Sequence, residues 1–247
     1  MSRLTLALIF ICLAAPVQAA ARKVSACALG ELEPVTVAAI TAQLDLQLDD
    51  GRVLKMPGLA PEFGHEVARK ALENLIKDHT VLARVLSPQP DRWGRVLAQV
   101  AVEENDEPAS LAEKILEQGL ARMRPAPEMA ACASTYLAAE AAAREAALGL
   151  WADGSFTVYP AEAPETLDGL GGKFVLIEGV VARYGSGRNR NFLDFGPRRN
   201  IDLSVTVLKK SLKAFGKARQ DLASLRGHRI RVRGILDTRF GLSLIHI

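Results

Sequence analysis

Basic side chains are concentrated in the last third of the chain, in a pattern that suits phosphate binding. Residues 166–247 contain 16 Lys and Arg against 6 Asp and Glu, a net charge of +10, whereas residues 1–165 contain 15 against 22. Three arginines alternate near the C-terminus, so a strand would place their guanidinium groups on one face. Arginine binds phosphate through paired hydrogen bonds, and aromatic rings stack on bases. We therefore predict a surface for single-stranded nucleic acid formed by Arg183, Tyr184, Arg188, Arg190, Arg229, Arg231 and Arg233.

Two other interpretations of this basic segment remain open. An anionic component of the cell envelope, such as lipid headgroups, would be attracted by the same charge. Alternatively, the cations form a solvated surface and the aromatic residues lie in the core. Phe192 and Phe195 cannot share one face of a strand, so at most one of them stacks on a base while the other packs inside.

The first residues have the features of an export signal. Arg3 precedes an apolar run at 4–15 that is too short to cross a bilayer comfortably. Val17-Gln18-Ala19 has the small-x-small pattern that precedes a cleavage site. We predict a signal peptide over 1–20 and a periplasmic or secreted mature protein, with a retained N-terminal anchor as the alternative.

Cleavage would leave two of the three cysteines, Cys27 and Cys132. Two cysteines in an exported chain favour one disulfide, and two unpaired buried thiols are the alternative. A bridge would close a loop of about 105 residues and contribute roughly 4 kcal/mol to stability in the chain-entropy model. Neither cysteine has the spacing to a histidine that is typical of a zinc site.

Hydrophobic patterning divides the mature chain into two modules joined by a linker at 153–168. The composition, 49% apolar and 24% charged, excludes a wholly disordered or multi-span membrane chain. In the first module, 28–152, Ser110 and Glu113 form a capping box, and Gly119 lies where a helix ends. Its predicted strands cover 35–40, 43–48, 52–56, 80–86 and 95–102, and its predicted helices begin near Phe63, Ser110 and Pro127.

The second module, 169–247, is predicted to be a five-stranded OB-fold-like barrel with one helix. Three apolar runs that favour strands are followed by a helical pattern over 211–225 and then by two more strand patterns. Three strands, a helix and two strands are the element order of an OB-fold. The predicted fold class is therefore mainly β with α.

The first module resembles the staphylococcal nuclease (thermonuclease) family. Four segments carry the resemblance in order: DDGRVLKMPGLAPE (49–62), DRWGRVLAQV (91–100), SLAEKILEQGLAR (110–122) and the Ala-rich helix that ends in GLW (149–151). The resemblance implies a five-stranded OB-type barrel with three helices, and it implies phosphodiester hydrolysis by one Ca²⁺, two arginines and a glutamate. It covers about 120 residues and does not extend to the basic module.

Two residues match the family's catalytic positions. Glu62 matches the glutamate, which the family uses as a general base, and Arg95 matches the arginine after an aromatic-Gly pair. The other arginine falls on Leu54 or, with a one-residue deletion, on Lys55. Lysine supplies a point charge instead of a planar fork, so the replacement would weaken stabilisation of the transition state. Alternatively, Glu62 favours a helix N-terminus and Arg95 forms an ion pair at the barrel rim.

The family's calcium ligands are missing from this sequence. One ligand aspartate falls on Leu44, and the other falls on Leu59 or is deleted. A register slip would place Asp45 at the first position, but it would also turn Leu44, Leu46 and Leu48 off their common face. Because Ca²⁺ needs several oxygen ligands, we expect no metal site and no cofactor here.

Three functions therefore compete. The first is an exported nucleic-acid-binding protein with an impaired nuclease site, and we favour it because the ligands are replaced and the second module is basic. The second is an active phosphodiesterase that uses Glu62, Arg95 and Lys55. The third is an envelope scaffold that binds a protein partner.

Overall fold

The computed structural model describes residues 27, 29–62, 65–197, 202–210, 212, 221–238 and 244–246. The predicted signal peptide lies outside these residues, as does most of the predicted helix at 211–225. The described remainder of that helix includes a 3₁₀ turn at Leu222–Leu225. Within the described part of the chain, no helix is long and apolar enough to cross a membrane.

The described strands fall into two sheets that match the two predicted modules, with one additional small pair. The strands are β1 Glu33–Val35, β2 Val37–Ile40, β3 Leu46–Leu48, β4 Val53–Lys55, β5 Leu59–Pro61, β6 Val81–Val85, β7 Arg95–Glu104, β8 Glu107–Ser110, β9 Ala121–Met123, β10 Val158–Pro160, β11 Phe174–Val180, β12 Arg183–Ser186, β13 Arg190–Asp194, β14 Ser204–Leu208, β15 Arg229–Asp237 and β16 Leu244–His246. The helices are α1 Glu66–Ile76, α2 Leu111–Glu117 and α3 Ala133–Glu145.

The first sheet is built around the long strand β7. Its order is β1-β6-β7-β4-β3-β2, with β8 also paired to β7. β4 and β7 run parallel, which brings Lys55 opposite Leu97 and Val53 opposite Arg95. The two end strands, β1 and β2, are separated in sequence only by Thr36.

The three predicted helices of the first module are confirmed. Helix α2 begins at the predicted cap, where the backbone N–H of Glu113 donates to Ser110 Oγ at 3.3 Å. Gly119 adopts a φ of +67°, as expected for a residue that ends a helix. The third helix starts as a 3₁₀ segment, Pro127–Cys132, and becomes α-helical only at Ala133.

Aliphatic side chains fill the core between this sheet and the helices. Leu46 and Leu54 from the sheet pack with Leu72 of α1 and Leu116 of α2, and all four are fully buried. Cys27 and Cys132 are joined by a disulfide, with their Cα atoms 4.5 Å apart. The bridge fastens the N-terminal segment to the residue before α3.

The second sheet has the order β10-β11-β15-β16-β14-β13-β12. The pairings β10·β11 and β14·β16 are parallel, and the others are antiparallel. The pairing of the described strands does not close into a barrel. Part of the predicted linker belongs to this module, because β10 pairs with β11 and Leu167 is buried in the second core.

Candidate functional site

Arg95 binds two carboxylates at the start of β7. Its Nε and Nη2 donate to Asp91 Oδ2 at 2.9 and 2.7 Å, and its Nη1 donates to Asp45 Oδ2 at 3.1 Å. Asp91 also accepts the backbone N–H groups of Trp93 and Arg95 at 2.9 and 3.0 Å. The turn therefore fixes Asp91 and Arg95 together through local hydrogen bonds.

Asp45 reaches this site because the chain bends before β3. Leu44 has a φ of +61°, a conformation that is rare for a leucine, and β3 begins only at Leu46. The bend is closed by Thr41, whose Oγ1 accepts the N–H of Asp45 at 3.1 Å. Leu44, Leu46 and Leu48 are all buried as predicted, but Asp45 is buried too and does not face solvent. The expected strict alternation from Leu44 is therefore wrong, since Leu44 lies in the bend and not in the strand.

The three charged neighbours of Arg95 have shifted pKa values. The hydrogen bonds from Arg95 hold the pKa of Asp91 at about 2. Burial raises the pKa of Asp45, because desolvation outweighs the hydrogen bond from Arg95. Burial and the positive charge of Arg95 lower the pKa of Lys55. Two of the predicted catalytic residues, Lys55 and Arg95, therefore interact electrostatically in one cluster.

Glu62 belongs to a different group of charges. It follows β5 and accepts a hydrogen bond from Arg122 Nη2 at 3.1 Å. Arg122, on the paired strand β9, is 8% exposed and also donates to the backbone oxygen of Phe174 at 2.8 Å. Its guanidinium lies 4.6 Å from the ring centre of Phe156 and 5.4 Å from that of Phe174. Glu62 is thus bound to a buried arginine that contacts the second module.

A second buried pair crosses the same boundary. Arg233 of β15 donates from Nη1 and Nη2 to the two carboxylate oxygens of Glu140 at 2.9 and 3.0 Å. Glu140, on α3, is fully buried and also accepts the N–H of Met123 at 2.6 Å. Arg233 donates in addition to the backbone oxygen of Met123 at 2.8 Å. It therefore fastens the two modules together and does not face a ligand surface.

The acidic residues of this region do not fit a calcium site. Asp45 and Asp91 are both bound to Arg95, and Glu62 is bound to Arg122. The positions that match the family's ligand aspartates, Leu44 and Leu59, are buried apolar side chains. Among the described residues, no group of three His, Cys, Asp or Glu side chains is placed to hold a metal ion.

The predicted nucleic-acid residues other than Arg233 separate into three groups in the structure. Arg183, Arg229 and Arg231 are paired with Asp194, Glu162 and Glu178, respectively. Tyr184 packs against the second core and donates its hydroxyl to Asn191 Oδ1 at 3.3 Å, so its ring is not free to stack. Arg188 and Arg190 are exposed, and in the described part of the chain neither has an acidic partner within ion-pair distance.

Sequence reasoning considered Asp45 only through a register slip that it rejected, and it assigned no role to Asp91, Trp93 or Arg122. Trp93 is 64% exposed, with the Arg92 and Arg95 guanidinium groups 4.2 and 4.9 Å from its ring centre. The Asp-x-x-Gly-Arg spacing around Asp91 could have indicated the hydrogen-bonded turn. The pairing of Arg122 with Glu62 had no comparable local signal, since the two are 60 residues apart.

The comparison with protein families agrees with the resemblance of the first module. Residues 46–153 match the family described as staphylococcal nuclease homologue. Among solved structures, the extended Tudor domain of Drosophila melanogaster Tudor-SN (p100) is 20% identical over 40% of this chain and 47% of that chain, with a TM-score of 0.33. The chain thus spans less than half of that solved protein chain. No curated protein matches the sequence significantly. The match to this family is confined to residues 46–153 and covers less than half of the chain.

Proposed function

We propose that this protein binds single-stranded nucleic acid and that its nuclease homologue domain does not perform calcium-dependent hydrolysis. One observation carries the proposal: the two family residues that remain, Glu62 and Arg95, are bound by other charged side chains of the protein itself. Arg95 is bound to Asp45 and Asp91, and Glu62 is bound to Arg122.

These ion pairs compete with two requirements of the family's reaction, phosphate binding by an arginine and proton acceptance by a glutamate. Three of the five N–H donors of Arg95 already bind Asp91 and Asp45, so a phosphate would have to compete with two carboxylates for this arginine. A general base must accept a proton from the attacking water, and one of the two carboxylate oxygens of Glu62, Oε2, already accepts a hydrogen bond from Arg122. Loss of a single charge-stabilising donor typically reduces an enzyme's rate about 10²–10³-fold. Here both Arg95 and Glu62 form ion pairs with other side chains of the protein.

A nuclease assay on the mature chain tests this proposal. The protein, expressed without residues 1–20, is incubated with labelled single-stranded DNA or RNA in Ca²⁺, Mg²⁺, Mn²⁺ or chelator, alongside Glu62→Gln. We expect no cleavage above the buffer control under any condition, and retention of the oligonucleotide in a gel-shift assay. Calcium-dependent cleavage that Glu62→Gln abolishes would overturn the proposal.

A second candidate function is supported by the convergence of charged groups at Arg95. Asp45 has a raised pKa and lies in the same cluster as Lys55, so it could serve as a proton acceptor beside two cations. In this case the protein is a phosphodiesterase that uses Asp45 where the family uses a glutamate. Cleavage that resists chelator, survives Glu62→Gln and is lost in Asp45→Asn would establish this alternative.

We further infer that the second module is an OB-type barrel with the same connectivity as the first. In the first sheet the two end strands, β1 and β2, are separated in sequence only by Thr36. In the second sheet β12 is an end strand and β11 lies next to the other end, beside the short strand β10, and only Val181 and Ala182 separate β11 from β12. Each module also has one parallel pair in the corresponding place, β4·β7 and β14·β16. Such a barrel supports the binding proposal, because OB-folds bind oligonucleotides across their strands.

Export to an oxidising compartment is part of the same proposal. The disulfide between Cys27 and Cys132 supports it, because such bridges persist outside the reducing cytosol. Secretion of a reporter protein fused to residues 1–26 tests the signal directly. A reporter that stays in the cytosol would contradict export.

A further inference from the structure

We infer that single-stranded nucleic acid binds at one corner of the second sheet, formed by the β12–β13 hairpin and the end of β14, with Phe192 as the stacking side chain. This inference rests on the proposed nucleic-acid binding and specifies its site. We name this surface the hairpin corner, and it consists of Arg188, Arg190, Phe192, Lys209 and Lys210.

Four cations meet at the hairpin corner. The turn between β12 and β13 is closed by the N–H of Gly187, which donates to the Arg190 oxygen at 2.8 Å. Next to it, the N–H of Lys209 donates to the Asn189 oxygen at 3.0 Å, which ties the end of β14 to the tip of the hairpin. Arg188, Arg190, Lys209 and Lys210 are all exposed.

These cations differ from the three arginines of β15 in having no acidic neighbour among the described residues. Arg229, Arg231 and Arg233 are bound to Glu162, Glu178 and Glu140, although Arg229 only at 3.9 Å. For the four cations of the hairpin corner, no described carboxylate lies within ion-pair distance. Their charge is therefore available to a polyanion, and such uncompensated charge attracts phosphates strongly.

Phe192 lies on the same face as Arg190, two residues further along β13. It pairs with Gly185 in β12 and with Thr206 in β14. A Cβ atom added to Gly187 would lie 3.4 Å from Phe192 Cε2, so the ring extends along the hairpin toward the basic tip. Gly185 in β12 and Gly187 directly after it have no side chains, so neither covers the half-buried Phe192 ring.

Phe195, and not Phe192, packs in the core of the second module. Phe195 is 7% exposed and packs in the second hydrophobic core, whereas Phe192 is half-buried and lies outside it. Since at most one of these two phenylalanines can stack on a base, Phe192 is the available one. Alternating cations and an uncovered aromatic ring suit a single strand, because its phosphates and its bases bind to different side chains.

The experiment measures fluorescence anisotropy of a labelled oligo-dT of about 16 nucleotides with the mature full chain over a range of salt. Phe192→Ala is expected to weaken binding about 5- to 100-fold, because one stacked base is lost. Phe192→Trp keeps an aromatic ring at this position and is expected to bind as tightly as the unmodified protein. In Phe192→Trp, oligonucleotide should also quench tryptophan fluorescence. Circular dichroism verifies that each variant is folded.

The contribution of the cations to binding is tested with two double variants. The hairpin pair combines Arg188→Gln with Arg190→Gln, and the control pair combines Lys70→Gln with Lys77→Gln. The control removes the same charge from two exposed positions in the other module, Lys70 in α1 and Lys77 directly after that helix. We expect the hairpin pair to reduce the slope of log K against log salt by about 0.7 per lost phosphate contact, and the control pair to leave the slope nearly unchanged.

The outcomes separate this inference from the proposed function. If the unmodified protein binds no oligonucleotide at low salt, the proposed function fails and the inference fails with it. If it binds but Phe192→Ala and the hairpin pair bind equally well, only the site assignment is overturned. Binding to vesicles containing phosphatidylglycerol that the hairpin pair abolishes, without oligonucleotide binding, would assign the corner to an anionic membrane surface and would also overturn the inference.

Discussion

Replacing Glu140 by alanine should destabilise the protein far more than replacing Glu145 on the same helix. Glu140 is fully buried and accepts two hydrogen bonds from Arg233 and one from the N–H of Met123. Its removal leaves a guanidinium, 13% exposed, and a backbone N–H without their acceptor. Removing one partner of a buried ion pair typically costs about 3–5 kcal/mol.

The control variant, Glu145→Ala, differs from Glu140→Ala mainly in the solvent exposure of the glutamate that is removed. The Glu145 side chain is 76% exposed and lies 3.8 Å from Arg144, an ion pair worth at most about 1 kcal/mol. Both substitutions replace a helical glutamate by alanine, so the difference in helix propensity largely cancels.

Urea unfolding followed by tryptophan fluorescence and by far-UV circular dichroism measures both variants. Both tryptophans lie in the first module, whereas circular dichroism reports on the whole chain. Because the Glu140–Arg233 pair crosses the module boundary, Glu140→Ala should also separate the two transitions. Equal stability of the two variants, within about 0.5 kcal/mol, would refute the assignment of Glu140 and Arg233 as an essential link.

Three further predictions follow from the first module. Ser110→Ala should cost about 1 kcal/mol in urea unfolding, because the N–H of Glu113 loses its cap, and an unchanged midpoint would argue against the cap. The pKa of Asp91 is lowered to about 2, so its contribution to stability is fully present above about pH 4 and is lost as the pH falls toward 2. The stability advantage of the unmodified protein over Asp91→Asn should therefore shrink over that interval, and a constant difference would contradict the shift. Denatured mature protein should expose no reactive thiol before reduction and two afterwards, and Cys132→Ser should lose up to roughly 4 kcal/mol because Cys27 is then unbridged.

Local patterns predicted the helices because their signals lie within a few residues. The capping box at Ser110 and the positive φ of Gly119 follow from the chemistry of adjacent backbone groups. The strands β5, β9 and β10 have only three residues each, which is too few for an alternating pattern to be visible. Their existence depends on pairing with distant strands.

The candidate site was predicted in its residue types but not in its pairings. Lys55 and Arg95 do lie in one cluster, because β4 and β7 are parallel neighbours. Glu62 is bound elsewhere because Arg122 is buried beside it, and a buried guanidinium needs a carboxylate partner. A one-dimensional motif match cannot distinguish a catalytic carboxylate from one that compensates a buried charge.

The net charge of the second module was equally unable to show which of its cations are paired with carboxylates. A charge of +10 favours a polyanionic ligand only if the cations are not already compensated, and the arginines of β15 pair with Glu140, Glu162 and Glu178. Glu140 and Glu162 belong to the acidic part of the chain, at 1–165, so part of the charge asymmetry between the two halves is used in their mutual contact. Among the residues that the structure describes, the hairpin corner groups four cations without an acidic partner, and such a local excess, more than the total charge, is the quantity that a phosphate backbone would detect.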